Sequence, residues 1–109
     1  VSPIPWRVGL IAGAALVAAS ACSPAAPKTY QVTLHDLMFG PTPPEAHVGD
    51  TLEWANNDLF LHSATASDGS FDVELKPGAH VAQPLTKAGT FDFICKYHPG
   101  MKGRLVVSP

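Results

Sequence analysis

An all-β fold is predicted, a Greek-key sandwich or barrel of seven to eight strands. Three observations predict it. Eleven prolines and nine glycines in 109 residues suit short strands and tight turns and are too many for a helical bundle. After residue 28 no window carries the 3.6-residue period of an amphipathic helix, whereas apolar residues alternate with period two along the segment. Turn signals follow one another closely: Gly49-Asp50, Asn57-Asp58, Ser67-Asp68-Gly69-Ser70, Lys76-Pro77-Gly78 and Lys87-Ala88-Gly89. The length allows one domain. A charged content of 15% and a formal net charge of −2 offer no basic surface for nucleic acid.

Taken in order, Tyr30 to Leu34 alternates and reads as the first strand, with Leu37-Met38-Phe39 continuing it after a break at Asp36. Gly40-Pro41-Thr42-Pro43-Pro44 is a loop, because its three prolines cannot donate to a central ladder. Ala46-His47-Val48 is a short strand. Thr51 to Asn56 alternates, with Leu52 and Trp54 on one face. Leu61 to Ala66, Phe71 to Leu75, His80 to Leu85 and Thr90 to Cys95 follow as strands, and Arg104 to Val107 closes the chain.

The first residues read differently. An uncharged apolar run from Val8 to Ala21 follows Arg7 and ends in the small residues Ala19-Ser20-Ala21. It is short for a permanent bilayer span and has the composition of a secretory leader, assigned to residues 1–21. Cys22 comes next, as in a bacterial lipoprotein box, although Ala19 stands where that box usually has leucine. The same residues also satisfy an ordinary A-x-A cleavage site. We favour the lipoprotein, in which a lipid on Cys22 anchors the product to a membrane without spanning it. Both readings export the product, to a periplasmic or other extracytoplasmic location. Residues 22–29 form a Pro/Ala tether and residues 30–109 the folded domain.

The chemistry is concentrated in Cys95-Lys96-Tyr97-His98-Pro99-Gly100-Met101. Cys95, His98 and Met101 recur every third residue between two strands, so a thiolate, an imidazole and a thioether can converge on one point. That soft set suits copper and suits zinc or calcium poorly. A second imidazole would come from His62, on a strand able to lie beside the loop. Each residue alone has a plainer reading: Cys95 as a core cysteine or a disulfide partner of Cys22, Met101 as packing, His62 as an ordinary histidine. The four together outweigh those readings. His35, His47 and His80 are expected at the surface, Lys96 in solvent and Tyr97 packed.

Val48 to Asp58, then His62, then Cys95-x-x-His98-x-x-Met101, resembles the cupredoxins, the type 1 blue copper proteins, and among them the amicyanin-like group with its short Cys-to-Met loop. The resemblance spans residues 30 to 109. It implies that His62, Cys95 and His98 form a trigonal set around one Cu(I)/Cu(II) ion, with Met101 as a weak axial contact. It implies a brace on the ligand loop from Asn56 and a hydrogen bond from the Ser63 N–H to the Cys95 sulfur. Leu59-Phe60-Leu61 departs from the family, where a proline often precedes the first histidine. The function implied is one-electron transfer between redox partners, docked transiently by apolar residues around His98; Phe39, Pro41, Phe60 and Pro99 are the candidates, with Phe39 and Phe60 readable also as core. The chain is read as a monomeric carrier and not an enzyme, since Ile94 and Lys96 flank Cys95 where copper oxidases carry histidines. A periplasmic copper carrier or chaperone is the alternative.

Overall fold

Period-two burial governs the architecture. In the computed structural model, residues 2–5, 9, 11–14 and 25–109 are described, and among them there is no helix. The predicted leader is therefore described only in part, and Cys22 lies outside the described residues. The strands are β1 (Thr29–His35), β2 (Met38–Phe39), β3 (Ala46–His47), β4 (Thr51–Asn56), β5 (His62–Ala66), β6 (Asp72–Leu75), β7 (His80–Pro84), β8 (Gly89–Ile94) and β9 (Lys102–Ser108). Val32 and Leu34 of β1, Leu52 and Trp54 of β4, Phe91 and Phe93 of β8, and Leu105 and Val107 of β9 are buried on alternate positions. Alternation places each pair on the same face of its strand, and that face meets the opposite sheet.

Two sheets result, in the orders β2-β1-β4-β7 and β3-β9-β8-β5-β6. β1 and β4 run parallel, from Thr29 opposite Thr51 to Leu34 opposite Asn56. β8 and β9 run antiparallel, from Gly89 opposite Val107 to Ile94 opposite Lys102. Trp54 sits between the sheets, with ring centroids 5.3 Å from Phe93 and 6.0 Å from Phe39 in edge-to-face contact. Its indole N–H donates to Gln83 at 2.9 Å, so the one polar atom of the ring is satisfied. Burying side chains of this size contributes about 1.5–3 kcal/mol each.

Two of the nine strands among the described residues, β2 and β3, are two-residue strands at sheet edges. Leu37-Met38-Phe39 does not extend the first strand. Asp36 and Leu37 take φ of 53° and 59°, and the chain folds back so that Phe39 pairs with Leu34 and Met38 with His35. β9 also begins at Lys102, earlier than its apolar pattern, because Lys102 and Gly103 pair with Ile94 and Phe93.

The sandwich has two distinct ends. At one, the Asp50 carboxylate accepts the N–H groups of Lys28 and His47, both at 2.9 Å, and the Val48 N–H donates to Ser108. Those N–H groups hold the Asp50 carboxyl below the usual carboxylate range. At the other end lie the 36–37 turn, the 57–61 loop and the 95–101 loop.

Candidate metal centre

The 95–101 loop is built from two consecutive turns. The His98 N–H donates to the Cys95 carbonyl at 3.3 Å, and the Met101 N–H to the His98 carbonyl at 3.1 Å. The Cys95 N–H then donates to the Met101 carbonyl at 2.9 Å and closes the loop on itself. Pro99 and Gly100 occupy the two central positions of the second turn. Gly100 has φ of 93°, a conformation glycine adopts without the Cβ penalty. The three-residue spacing is thus the repeat of a turn; it closes the backbone from Cys95 to Met101 and brings the Cys95 and His98 side chains together.

His62 opens β5 and is fully buried; Cys95 follows β8 and is 1% exposed; Met101 is buried, and His98 half-buried. The His62 and His98 Nδ1 atoms are 3.2 Å apart, and Cys95 Sγ lies 3.8 Å from the first and 3.5 Å from the second. A point equidistant from these three corners lies about 2 Å from each, the length of a metal–imidazole bond. The triangle therefore fits a small metal ion without rearrangement. Its donors, a thiol and two imidazoles, are those that copper takes up in tetragonal-to-trigonal sites.

Neighbouring groups orient the ligands. The Ser63 N–H donates to Cys95 Sγ at 3.4 Å, in the role the resemblance implied. Asn56 takes a different role from the one implied. Its amide donates to the carbonyls of Phe60 and Leu75, and its oxygen accepts the Asp58 N–H, so it braces the loop that carries His62. The brace on the ligand loop is Ser63, whose hydroxyl oxygen accepts the Lys96 N–H at 2.9 Å.

Asp58 has no role in the sequence reading beyond marking a turn. In the structure one of its oxygens accepts from the His62 ring at 2.7 Å, and the two together accept the N–H groups of Asp36 at 2.7 Å and Leu37 at 2.9 Å. Burial pushes its carboxyl up, but the Leu37 N–H, the His62 ring and the Asp36 N–H outweigh it and hold the group below the usual range. The ring nitrogen that faces Asp58 is Nε2, which leaves Nδ1 aimed at Cys95 and His98. His35, Asp36 and Asp58 also gather as a group with ligand-type atoms. Both Asp58 oxygens are already engaged there by N–H donors, and that group reads as structural.

Phe60 is 54% exposed with its ring 6.1 Å from the His98 ring, and Leu59 before it in the chain is 91% exposed. Pro41 and Pro99 are exposed. Phe39 instead packs into the core, edge-to-face on Phe93 at 4.8 Å. His35, His47 and His80 are at the surface as expected, each within 4 Å of a carboxylate. Lys96 pairs with Asp72 at 3.2 Å, and Tyr97 is 40% exposed with its hydroxyl donating to Glu74 at 2.8 Å.

The sequence matches the cupredoxin-like domain family over residues 8–107. Amicyanin of Paracoccus denitrificans is 33% identical over 72 residues, which are 59% of this chain and 55% of the relative, so the match spans about half the relative's length. Amicyanin-alpha of Methylorubrum extorquens is 29% identical over 83 residues, 71% of this chain and 70% of the relative. Among solved structures, a reduced amicyanin variant superposes with a TM-score of 0.58 at 28% identity, over 73% of this chain and 82% of that one. A copper-containing nitrite reductase from Thermus scotoductus superposes with a TM-score of 0.65 at 31% identity, over 76% of this chain but 22% of that one. Fold, ligand-loop geometry and sequence match agree: the chain belongs to the cupredoxin-like family.

Proposed function

We propose that the protein is a type 1 copper protein that carries single electrons between redox partners outside the cytoplasm. The observation that carries this is the triangle of His62 Nδ1, His98 Nδ1 and Cys95 Sγ, closed to 3.2–3.8 Å. Met101, buried at the end of the same loop, would add a weak thioether contact to the ion. Copper bound there supplies a one-electron couple, Cu(I)/Cu(II).

The protein's part is to keep the donors in place for both oxidation states. Paired turns fix Cys95, His98 and Met101, and the Asp58 hydrogen bond fixes the His62 ring. The Ser63 N–H draws charge from the thiolate, which tunes the potential. Little then has to reorganise when an electron arrives. Phe60 and Pro99 are exposed apolar residues beside the half-buried His98. Small contacts of that kind suit transient redox complexes.

Burial of His62 and Cys95 supports retention of the ion and electron transfer rather than delivery of copper to a partner. The nitrite reductase likeness covers 22% of that enzyme, a domain's share. The apolar run at 8–21 supports export of the folded domain, whose first strand begins at Thr29. The mass of the native protein reads both the leader's removal and a lipid on Cys22.

The test is a visible spectrum of the full chain with one equivalent of copper(II), beside Cys95→Ser. An intense blue charge-transfer band in the first and none in the second is expected. A folded, copper-binding wild type without the band overturns the type 1 assignment. Rapid loss of the ion to a chelator would favour the copper-delivery reading.

A further inference from the structure

Lys96, the residue after Cys95, takes part in a closed ring of hydrogen bonds. Its backbone N–H donates to Ser63 Oγ at 2.9 Å. Ser63 Oγ is 2.9 Å from Thr65 Oγ1, and the Thr65 hydroxyl donates to Asp72 Oδ1 at 2.8 Å. The Lys96 ammonium completes the ring on the same Asp72 carboxylate, at 3.3 and 3.2 Å. The ring joins β5, β6 and the ligand loop.

Proton counting gives the ring one direction. An ionised carboxylate only accepts, and each hydroxyl has one hydrogen to donate. The Thr65 hydroxyl and the Lys96 ammonium hold the Asp72 carboxyl below the usual range, so it is an acceptor. Thr65 therefore spends its hydrogen on Asp72 and can only accept from Ser63. Ser63, fully buried, spends its hydrogen on Thr65 and can only accept from the Lys96 N–H. The chain runs Lys96 N–H to Ser63 to Thr65 to Asp72, each bond polarised by the charge at its end.

Ser63 also donates its own N–H to Cys95 Sγ, so the residue at the centre of the ring is the one that touches the thiol. We propose that Thr65 and Asp72 are positioning residues for the metal centre: through Ser63 and Lys96 they hold the Ser63 N–H against the Cys95 sulfur and thereby set the reduction potential. Neither touches a proposed ligand. The inference rests on the copper reading above.

Thr65→Val tests it, because it removes the hydroxyl while keeping charge, shape and strand preference. Two quantities are read in the full chain: hydrogen exchange of the Lys96 and Ser63 amides in the metal-free protein, and the reduction potential of the copper-loaded protein. The expected result is faster exchange at both amides and a lower potential, since a weaker N–H bond to the thiolate favours the oxidised state. Thr65→Ser is expected to restore both. Unchanged exchange and potential overturn the proposal. Faster exchange with an unchanged potential also overturns it, leaving the ring a purely structural device. Exchange needs no copper, so failure of the ring is told apart from failure of the copper reading, which the wild-type spectrum decides.

Discussion

Asp58 shows how much one side chain can organise without itself being a proposed ligand. It accepts from the His62 ring and from two N–H groups of a strained turn, and its side chain is only 8% exposed. Asp58→Ala should lower stability by about 2 kcal/mol, the cost of leaving donors unpaired around a nearly buried site. It should also weaken metal binding by about 10–100-fold, as loss of a partner that orients a ligating histidine does. Urea unfolding of the metal-free protein and chelator competition measure the two effects separately. None of this was legible in the residues, where Asn57-Asp58 reads as a turn. Cys95, His98 and Met101 were legible because a turn-spaced Cys, His and Met is a local pattern, and His62 followed from the need for a second imidazole and from the resemblance. The groups that orient them, Asp58 from the 57–61 loop and Ser63 from β5, are themselves held by the 36–37 turn, β5 and β6, and sequence spacing does not reveal which polar atoms such segments bring together. Asn56 makes the same point: a resemblance carried over its importance, but its hydrogen bonds run to Phe60 and Leu75 rather than to the ligand loop.

At the scale of elements, most strands were legible, since alternation marks each buried face and Gly or Pro marks each reversal. The exception is the β1–β2 hairpin. Its turn residues, Asp36 and Leu37, both have positive φ, where Asn-Gly or Asp-Gly is the usual choice. No glycine announces the turn, and Leu37 reads as strand. The conformation holds because Asp58, from the neighbouring loop at the same end of the sandwich, accepts both N–H groups. A leucine in the left-handed region costs about 1–2 kcal/mol. Leu37→Gly should relieve that cost and stabilise the protein by about 0.5–1 kcal/mol after the unfolded chain's gain in freedom is subtracted. A rise in the urea midpoint with an unchanged slope would show it. A fall would mean that the exposed Leu37 side chain contributes more by its contacts than its backbone costs.

For the molecule as a whole, stability against acid depends on carboxylates that accept backbone N–H groups. Asp50 is the clearest, with its carboxyl lowered by Lys28 and His47. A carboxyl whose pKa is lower folded than unfolded stabilises the fold fully above the unfolded value, about 3.9. That contribution is lost as pH falls through the lowered folded value. Unfolding free energy should therefore drop below about pH 4. Asp50→Asn should be less stable at neutral pH and flatter across the acid range, as urea titrations at several pH values would measure. If the two proteins lose stability in parallel, the Asp50 clamp is not a source of the acid sensitivity.

That clamp has another consequence. Lys28, where the chain enters the sandwich, and Pro109 line one cleft with His47 and Asp50, while Cys95 to Met101 turn at the opposite end. Both attachment points therefore sit behind the domain. Chain continuing from either point starts on the face opposite the His98 loop. The domain is a plug whose cables leave on the side away from its contacts.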